Sequence, residues 1–98
     1  MTLTRTESRK DGVLPLEYPL TQLSLTDYLA AGAVSELVIR ACDDGTWRLE
    51  ASLSWRSGAG VLMAARGDQR RFRSLDTVAR FLTSLGIKKT FVRLELLP

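Results

Sequence analysis

The stretch Trp47-Arg48-Leu49-Glu50-Ala51-Ser52-Leu53-Ser54-Trp55-Arg56 decides the fold class. Trp47, Leu49, Ala51, Leu53 and Trp55 fall on one side of an extended chain, and Arg48, Glu50, Ser52, Ser54 and Arg56 on the other. Alternation with period two marks an antiparallel strand with one buried and one wet face. Just upstream, Asp44-Gly45 is a strong hairpin signal, because Gly supplies the positive φ that tight turns require. Before that turn, Leu37, Ile39 and Ala41 alternate with Val38, Arg40 and Cys42, which predicts a partner strand starting at Val34. Downstream, Ser57-Gly58-Ala59-Gly60 predicts a turn into a third strand over 61–66. Gly67-Asp68 turns the chain again and leaves 70–73 extended.

Helical spacing flanks this meander. Leu75, Val78, Ala79, Leu82 and Leu85 recur at i, i+3, i+4, i+7 and i+10 after Ser74, and Gly86 closes the run. Ile87 is placed for the apolar contact of a Schellman stop, and Asp76 in the first turn suits the helix dipole. A shorter helix is expected with Ser24 as N-cap and Asp27 completing a capping box. Leu25, Tyr28 and Leu29 form its apolar face, and Gly32 its stop. Residues 90–97 read as a last strand with Val92, Leu94 and Leu96 inward and Arg93 and Glu95 outward. Pro15 and Pro19 among Leu14, Leu16, Tyr18 and Leu20 make 14–22 an extended lead-in over the core. Residues 1–13 are polar and aperiodic, the pattern of a mobile arm that orders on binding. The expected fold is α+β: one antiparallel sheet of four to five strands with two helices packed on one face, in the order α-β-β-β-(β)-α-β. A single domain is expected over 14–98.

A chain of 98 residues, 45% apolar, is one domain's worth. It can bury one core but has little volume left for a deep substrate pocket, so neither a small-molecule substrate nor a cofactor is expected. Apolar runs are only a few residues long, and the N-terminus lacks the apolar run of a secretory signal. The expectation is a cytoplasmic protein with no membrane span. Cys42 is the one cysteine, and there is no histidine. The missing histidine removes the commonest general base and metal ligand, and with them Ser-His and Cys-His catalysis and His-containing zinc sites.

The remaining candidates for chemistry have plainer explanations. Asp43 and Asp44 sit in a turn, where Asp favours the turn geometry itself. Glu36, Glu50 and Glu95 fall on strand surfaces and read as solvated. Cys42 lies beside two acids, the reverse of the electropositive setting that activates a thiol. Gly58, Gly60 and Gly67 lack the Gly-Lys-Ser/Thr of a phosphate loop and read as hairpin turns. Trp47 and Trp55 are core or edge anchors before they are base-stacking platforms. The expectation is a protein that is not an enzyme.

The charge map is uneven. Between Arg66 and Arg93 stand eight basic residues, Arg66, Arg70, Arg71, Arg73, Arg80, Lys88, Lys89 and Arg93, against Asp68 and Asp76, a net of +6. The rest of the chain nets −3. Arg70, Arg71 and Arg73 lead into the start of the second helix, where arginines and backbone N–H groups converge on an anion. These eight residues are the candidate contact surface for nucleic acid or an acidic protein, weighed against a solvated face that only aids solubility.

One segment resembles a known family. Arg70-Arg71-Phe72-Arg73-Ser74-Leu75-Asp76-Thr77-Val78-Ala79-Arg80-Phe81-Leu82, with Leu85-Gly86-Ile87 and a closing strand, is similar to the C-terminal half of small plasmid-borne ParC-type partition-associated proteins. The match spans 70–97. The resemblance implies a non-enzymatic accessory protein of plasmid or mobile-element maintenance, acting on DNA or on a DNA-bound partition protein. The order helix, three strands, helix also resembles a double-stranded RNA-binding domain, but that family's lysines are absent and the last strand is foreign to it. The alternative is a protein–protein adaptor or homodimer that uses strand surfaces or edges without touching nucleic acid.

Overall fold

The computed structural model of the chain describes residues 16–87 and 89–98. The expected arm at 1–13 and Lys88 lie outside the described residues. Seven elements follow in the order β1 (Glu17–Leu20), α1 (Gln22–Ala30), β2 (Val34–Ala41), β3 (Trp47–Leu53), β4 (Ala59–Leu62), α2 (Leu75–Ser84) and β5 (Val92–Glu95). They build one five-stranded sheet in the order β1-β4-β3-β2-β5, so the fold is α+β with one sheet and two helices.

The β2–β3 hairpin forms where its turn chemistry places it. Gly45 adopts φ 84°, the Asp44 carboxylate accepts from the Thr46 N–H at 3.0 Å, and Cys42 N–H donates to the Thr46 carbonyl at 2.9 Å. This fixes a register with Ala41 opposite Trp47, Arg40 opposite Arg48 and Val38 opposite Glu50. β3 then pairs antiparallel with β4. The outer pairs differ: β1 runs parallel to β4, and β5 parallel to β2. The sheet is therefore mixed rather than wholly antiparallel. The cause is connectivity: a helix between strands carries the chain back to start the next strand in the same direction, as α1 does from β1 to β2 and α2 from β4 to β5.

Both helices lie on one face. Leu25 of α1 and Val78, Phe81 and Leu82 of α2 share a core with Leu37, Leu49, Ala51, Leu53 and Leu62 of the sheet. Each of these residues is under a tenth exposed, and complete burial of such a side chain contributes about 1.5–3 kcal/mol. The apolar stripe of α2 is rotated from the expected one. Phe81 is buried against Phe72 at 5.4 Å, whereas Leu75 and Ala79 are exposed. Leu75 sits in the first turn, beyond the edge of the packed surface, and the 3.6-residue repeat brings Phe81 beside Val78 instead.

The helix ends follow local chemistry. Thr21, not Ser24, caps α1: its hydroxyl accepts from the Ser24 N–H at 3.0 Å, so the helix begins earlier than the capping-box spacing predicted. Ser74 caps α2 in a reciprocal box with Thr77. Both helices end in the double hydrogen bond of a Schellman motif. Gly32 N–H donates to Leu29 and Ala33 N–H to Tyr28, as Gly86 does to Thr83 and Ile87 to Leu82.

Four further expectations change. The lead-in at 14–22 contains a true strand, β1. β4 starts at Ala59, so Gly60 is a strand residue and not part of a turn. A Cβ there would lie 2.4 Å from Leu20 Cδ1 and 2.9 Å from Tyr18 Cε2, so β1 side chains occupy the space glycine leaves. The extended piece before α2 makes only isolated bridges, Met63 with Gln69 and Trp47 with Phe72. Trp55 lies past the end of β3, more than half exposed, with its ring edge against Tyr28 at 5.8 Å.

Candidate functional site

Strand direction sorts the candidate basic residues. β1, β4, β2 and β5 all point one way, so the ends of β1 and β4, the β2–β3 hairpin and the starts of both helices share one end of the sheet. Arg66, Arg70, Arg71 and Arg73 belong to this end. Phe72 exchanges two 2.8 Å hydrogen bonds with Trp47 and buries its ring, which turns the flanking Arg71 and Arg73 outward. Arg71 reaches Asp44 at 3.6 Å across the hairpin tip. Arg70 is half-buried, its guanidinium 4.6 Å from the Phe81 ring centre and 5.0 Å from that of Phe72, within cation–π range. Arg66 is exposed at a turn, 3.5 Å from Asp68. Arg73 directly precedes the Ser74 cap and makes no ion pair to a described residue.

The other candidates are elsewhere. Arg80 is on the exposed side of α2, 3.4 Å from Asp76 one turn earlier. Lys89 lies near the opposite end of the sheet, beside Leu85 and Ile87 at the close of α2. Arg93 projects from the face that carries no described helix, with Glu36 at 2.6 Å and Glu95 at 2.8 Å. The structure thus brings four of the eight named residues to one end and disperses Arg80, Lys89 and Arg93.

The helix-free face holds what residue-level reading missed. Glu50, expected in solvent, is only 3% exposed. It accepts from Arg40 Nε and Arg48 Nε, both at 2.7 Å, and Arg48 also reaches Glu17 on β1 at 2.7 Å. Burial by itself raises the Glu50 carboxyl, but its hydrogen bonds from Arg40 and Arg48 outweigh that cost and hold it below the ordinary glutamate value. The cause is cross-strand pairing, which strand alternation by itself does not reveal. The hairpin turn sets Arg40 opposite Arg48, and two like charges face to face are unfavourable unless an acid stands between them. Val38 and Val61 flank Glu50 in the same cross-strand row and are equally buried. At the hairpin tip the Asp44 carboxyl is also lowered, chiefly by the Thr46 hydroxyl and N–H and secondarily by Arg71.

Geometry separates the two sets of arginines. On the sheet face the contacts of Arg40 and Arg48 to Glu50, Arg48 to Glu17 and Arg93 to Glu36 are short, and these arginines hold strands together. At the helix-starting end the ion pairs of Arg66 and Arg71 are long and solvent-exposed, the class that contributes about 0–1 kcal/mol. Such pairs exchange readily for a stronger anion. Among the described residues no group of three His, Cys, Asp or Glu side chains comes together that would hold a metal. No helix among them is long and apolar enough to cross a membrane. No family model matches the chain, and no curated protein or solved structure matches it either.

Proposed function

We propose that the chain is a non-catalytic accessory protein that grips an anionic partner with Arg66, Arg70, Arg71 and Arg73. The observation that carries this reading is the outward placement of Arg71 and Arg73 on either side of the anchored Phe72. Each sits beside the start of α2: Arg71 has a 3.6 Å exposed pair with Asp44 and a 3.4 Å contact to the Thr46 hydroxyl, and Arg73 has no ion pair to a described residue. Arg70 supports them from its seat on the two phenylalanine rings. The partner class is DNA or an acidic surface of a DNA-bound partition protein. The partition setting rests on the resemblance of 70–97 to ParC-type proteins, and the arginine geometry adds only the anion preference.

Fluorescence anisotropy with duplex DNA and with an acidic peptide, each titrated with salt, tests the reading. Binding should weaken steeply with salt, and Arg71→Ala with Arg73→Ala should reduce the DNA salt slope by about two. Arg80→Ala and Lys89→Ala, outside the cluster, should change it little. Binding that ignores salt, or a slope unmoved by the Arg71/Arg73 pair, would overturn it.

A further inference from the structure

β5 is the outermost strand on the β2 side, and no described strand pairs with its far edge. Its backbone polarity is fixed by β2. The Leu37 N–H donates to the Phe91 carbonyl at 2.9 Å, with Leu37 level with Val92 in a parallel register. Each strand residue turns its N–H and C=O to the same side, and successive residues alternate. Phe91, Arg93 and Glu95 therefore address β2, while Val92, Leu94 and Leu96 aim their N–H and C=O groups away from it, where no described strand receives them. The side chains along this edge are apolar and uncovered, with Phe91 80% and Leu96 66% exposed. An open, apolar edge is a template for another strand, and folded proteins ordinarily blunt it.

The edge is self-complementary. Residues 91–97 read Phe-Val-Arg-Leu-Glu-Leu-Leu, and from Leu94 outward the pattern is the same in both directions: a charge, then two apolar residues. The two charges are opposite in sign. We infer that β5 pairs antiparallel with β5 of a second copy, about a two-fold axis at Leu94, to give one continuous ten-stranded sheet. This goes beyond the anion-binding reading and uses a different part of the molecule.

In that register Leu94 faces Leu94 of the second copy and Val92 faces its Leu96, and these are the residues whose backbone groups point outward. About six backbone hydrogen bonds close the seam. Arg93 stands opposite Glu95 of the second copy, and Phe91 opposite its Leu97. Arg93 is already held on the helix-free face by Glu36, the side on which the incoming carboxylate arrives. Backbone polarity excludes a shift that would pair outward with inward residues. The nearest allowed registers centre on Arg93 against Arg93 or Glu95 against Glu95, and like charges directly opposite are destabilising.

Sedimentation equilibrium of the full chain over a micromolar concentration range tests this. The expected species is a dimer of twice the monomer mass. Arg93→Glu and Glu95→Arg should each weaken self-association at least tenfold. An equimolar mixture of the two should dimerise again, because the two acids of one variant then face the two arginines of the other. The double variant R93E/E95R should dimerise by itself. Leu94→Pro deletes an N–H that no described residue accepts and should yield a folded monomer by circular dichroism. Amide exchange should show Val92, Leu94 and Leu96 protected in the dimer. If Arg93→Glu does not fold, the Leu94→Pro and amide results decide alone. A wild-type chain that stays monomeric, a dimer that survives Leu94→Pro, or a mixture of folded charge variants that fails to associate would overturn the inference.

Discussion

At one edge of the sheet β1 carries Pro19 within its four residues, and at the other β5 presents the outward N–H groups of Val92, Leu94 and Leu96. The carbonyls of Leu16 and Leu20 accept from Ala59 and Met63, both at 2.8 Å, so the even residues of β1 face β4 and Glu17 and Pro19 face out. Pro19 has no N–H to offer a further strand, and the Glu17 charge is tied to Arg48. A proline and an anchored acid close an edge. β5 has neither: its charges lie in the residues that address β2, and its outward row is aliphatic. One sheet is thus finished on one side and unfinished on the other, and the difference is legible in which parity of residue each strand turns outward.

The most severe way to break this contrast is to remove the charge that ties both halves together. Glu50→Gln leaves Arg40 and Arg48 facing each other without the buried carboxylate between them, at a cost of about 3 kcal/mol in a urea melt at neutral pH. Exchange should rise more at β1, whose Glu17 is tied at 2.7 Å to the Arg48 that Glu50 positions, than at β5, whose Arg40–Glu95 contact is 4.0 Å. The same group sets an acid limit. Its native pKa lies below the unfolded value of about 4.3. Its stabilisation is therefore complete above that value and is lost as pH falls through the lower native one. Melts at pH 7 and pH 3 should show this loss in the parent chain and a flatter dependence in Glu50→Gln.

A narrower perturbation reaches the closed edge alone. Gly60→Ala places a methyl group where Leu20 and Tyr18 pack, which should cost about 1–3 kcal/mol and raise amide exchange in β1 while leaving β5 unchanged. Equal loosening of both edges would show that they are not independent.

The smallest effect on stability should come from reopening the closed edge. Pro19→Val restores an outward N–H and should change the melting free energy by less than about 1 kcal/mol. Light scattering should nevertheless show new association through β1, which Leu94→Pro does not prevent. If association is unchanged, Pro19 is not what closes that side.

Much of this architecture was written in local chemistry. The alternation at 47–53 and the Asp44-Gly45 turn specify a hairpin, and Gly32 and Gly86 end their helices where a positive φ is needed. Other features depended on partners distant in sequence. The sequence pattern could not show that Glu50 is buried, because strand alternation tells which face a residue takes but not whether arginines on that face will close over it. Nor could it show that Gly60 serves packing, since its reason is Leu20 arriving from a strand far earlier in the chain. Of the basic run, only the part anchored by Phe72 stays together, because the helix that follows carries Lys89 to the far end and the crossover puts Arg93 on the other face.

The sequence by itself determined the types of six of the seven elements, the Asp44-Gly45 turn and both helix stops, the absence of histidine and the charge excess between Arg66 and Arg93. These are properties of single residues and of spacings within a few residues. Strand order, the parallel outer pairs, the burial of Glu50 and the open edge of β5 were decided by the tertiary structure alone. Each depends on where two helical crossovers set their strands down, and that is settled by the packing of Leu25, Val78, Phe81 and Leu82 on one face of the sheet.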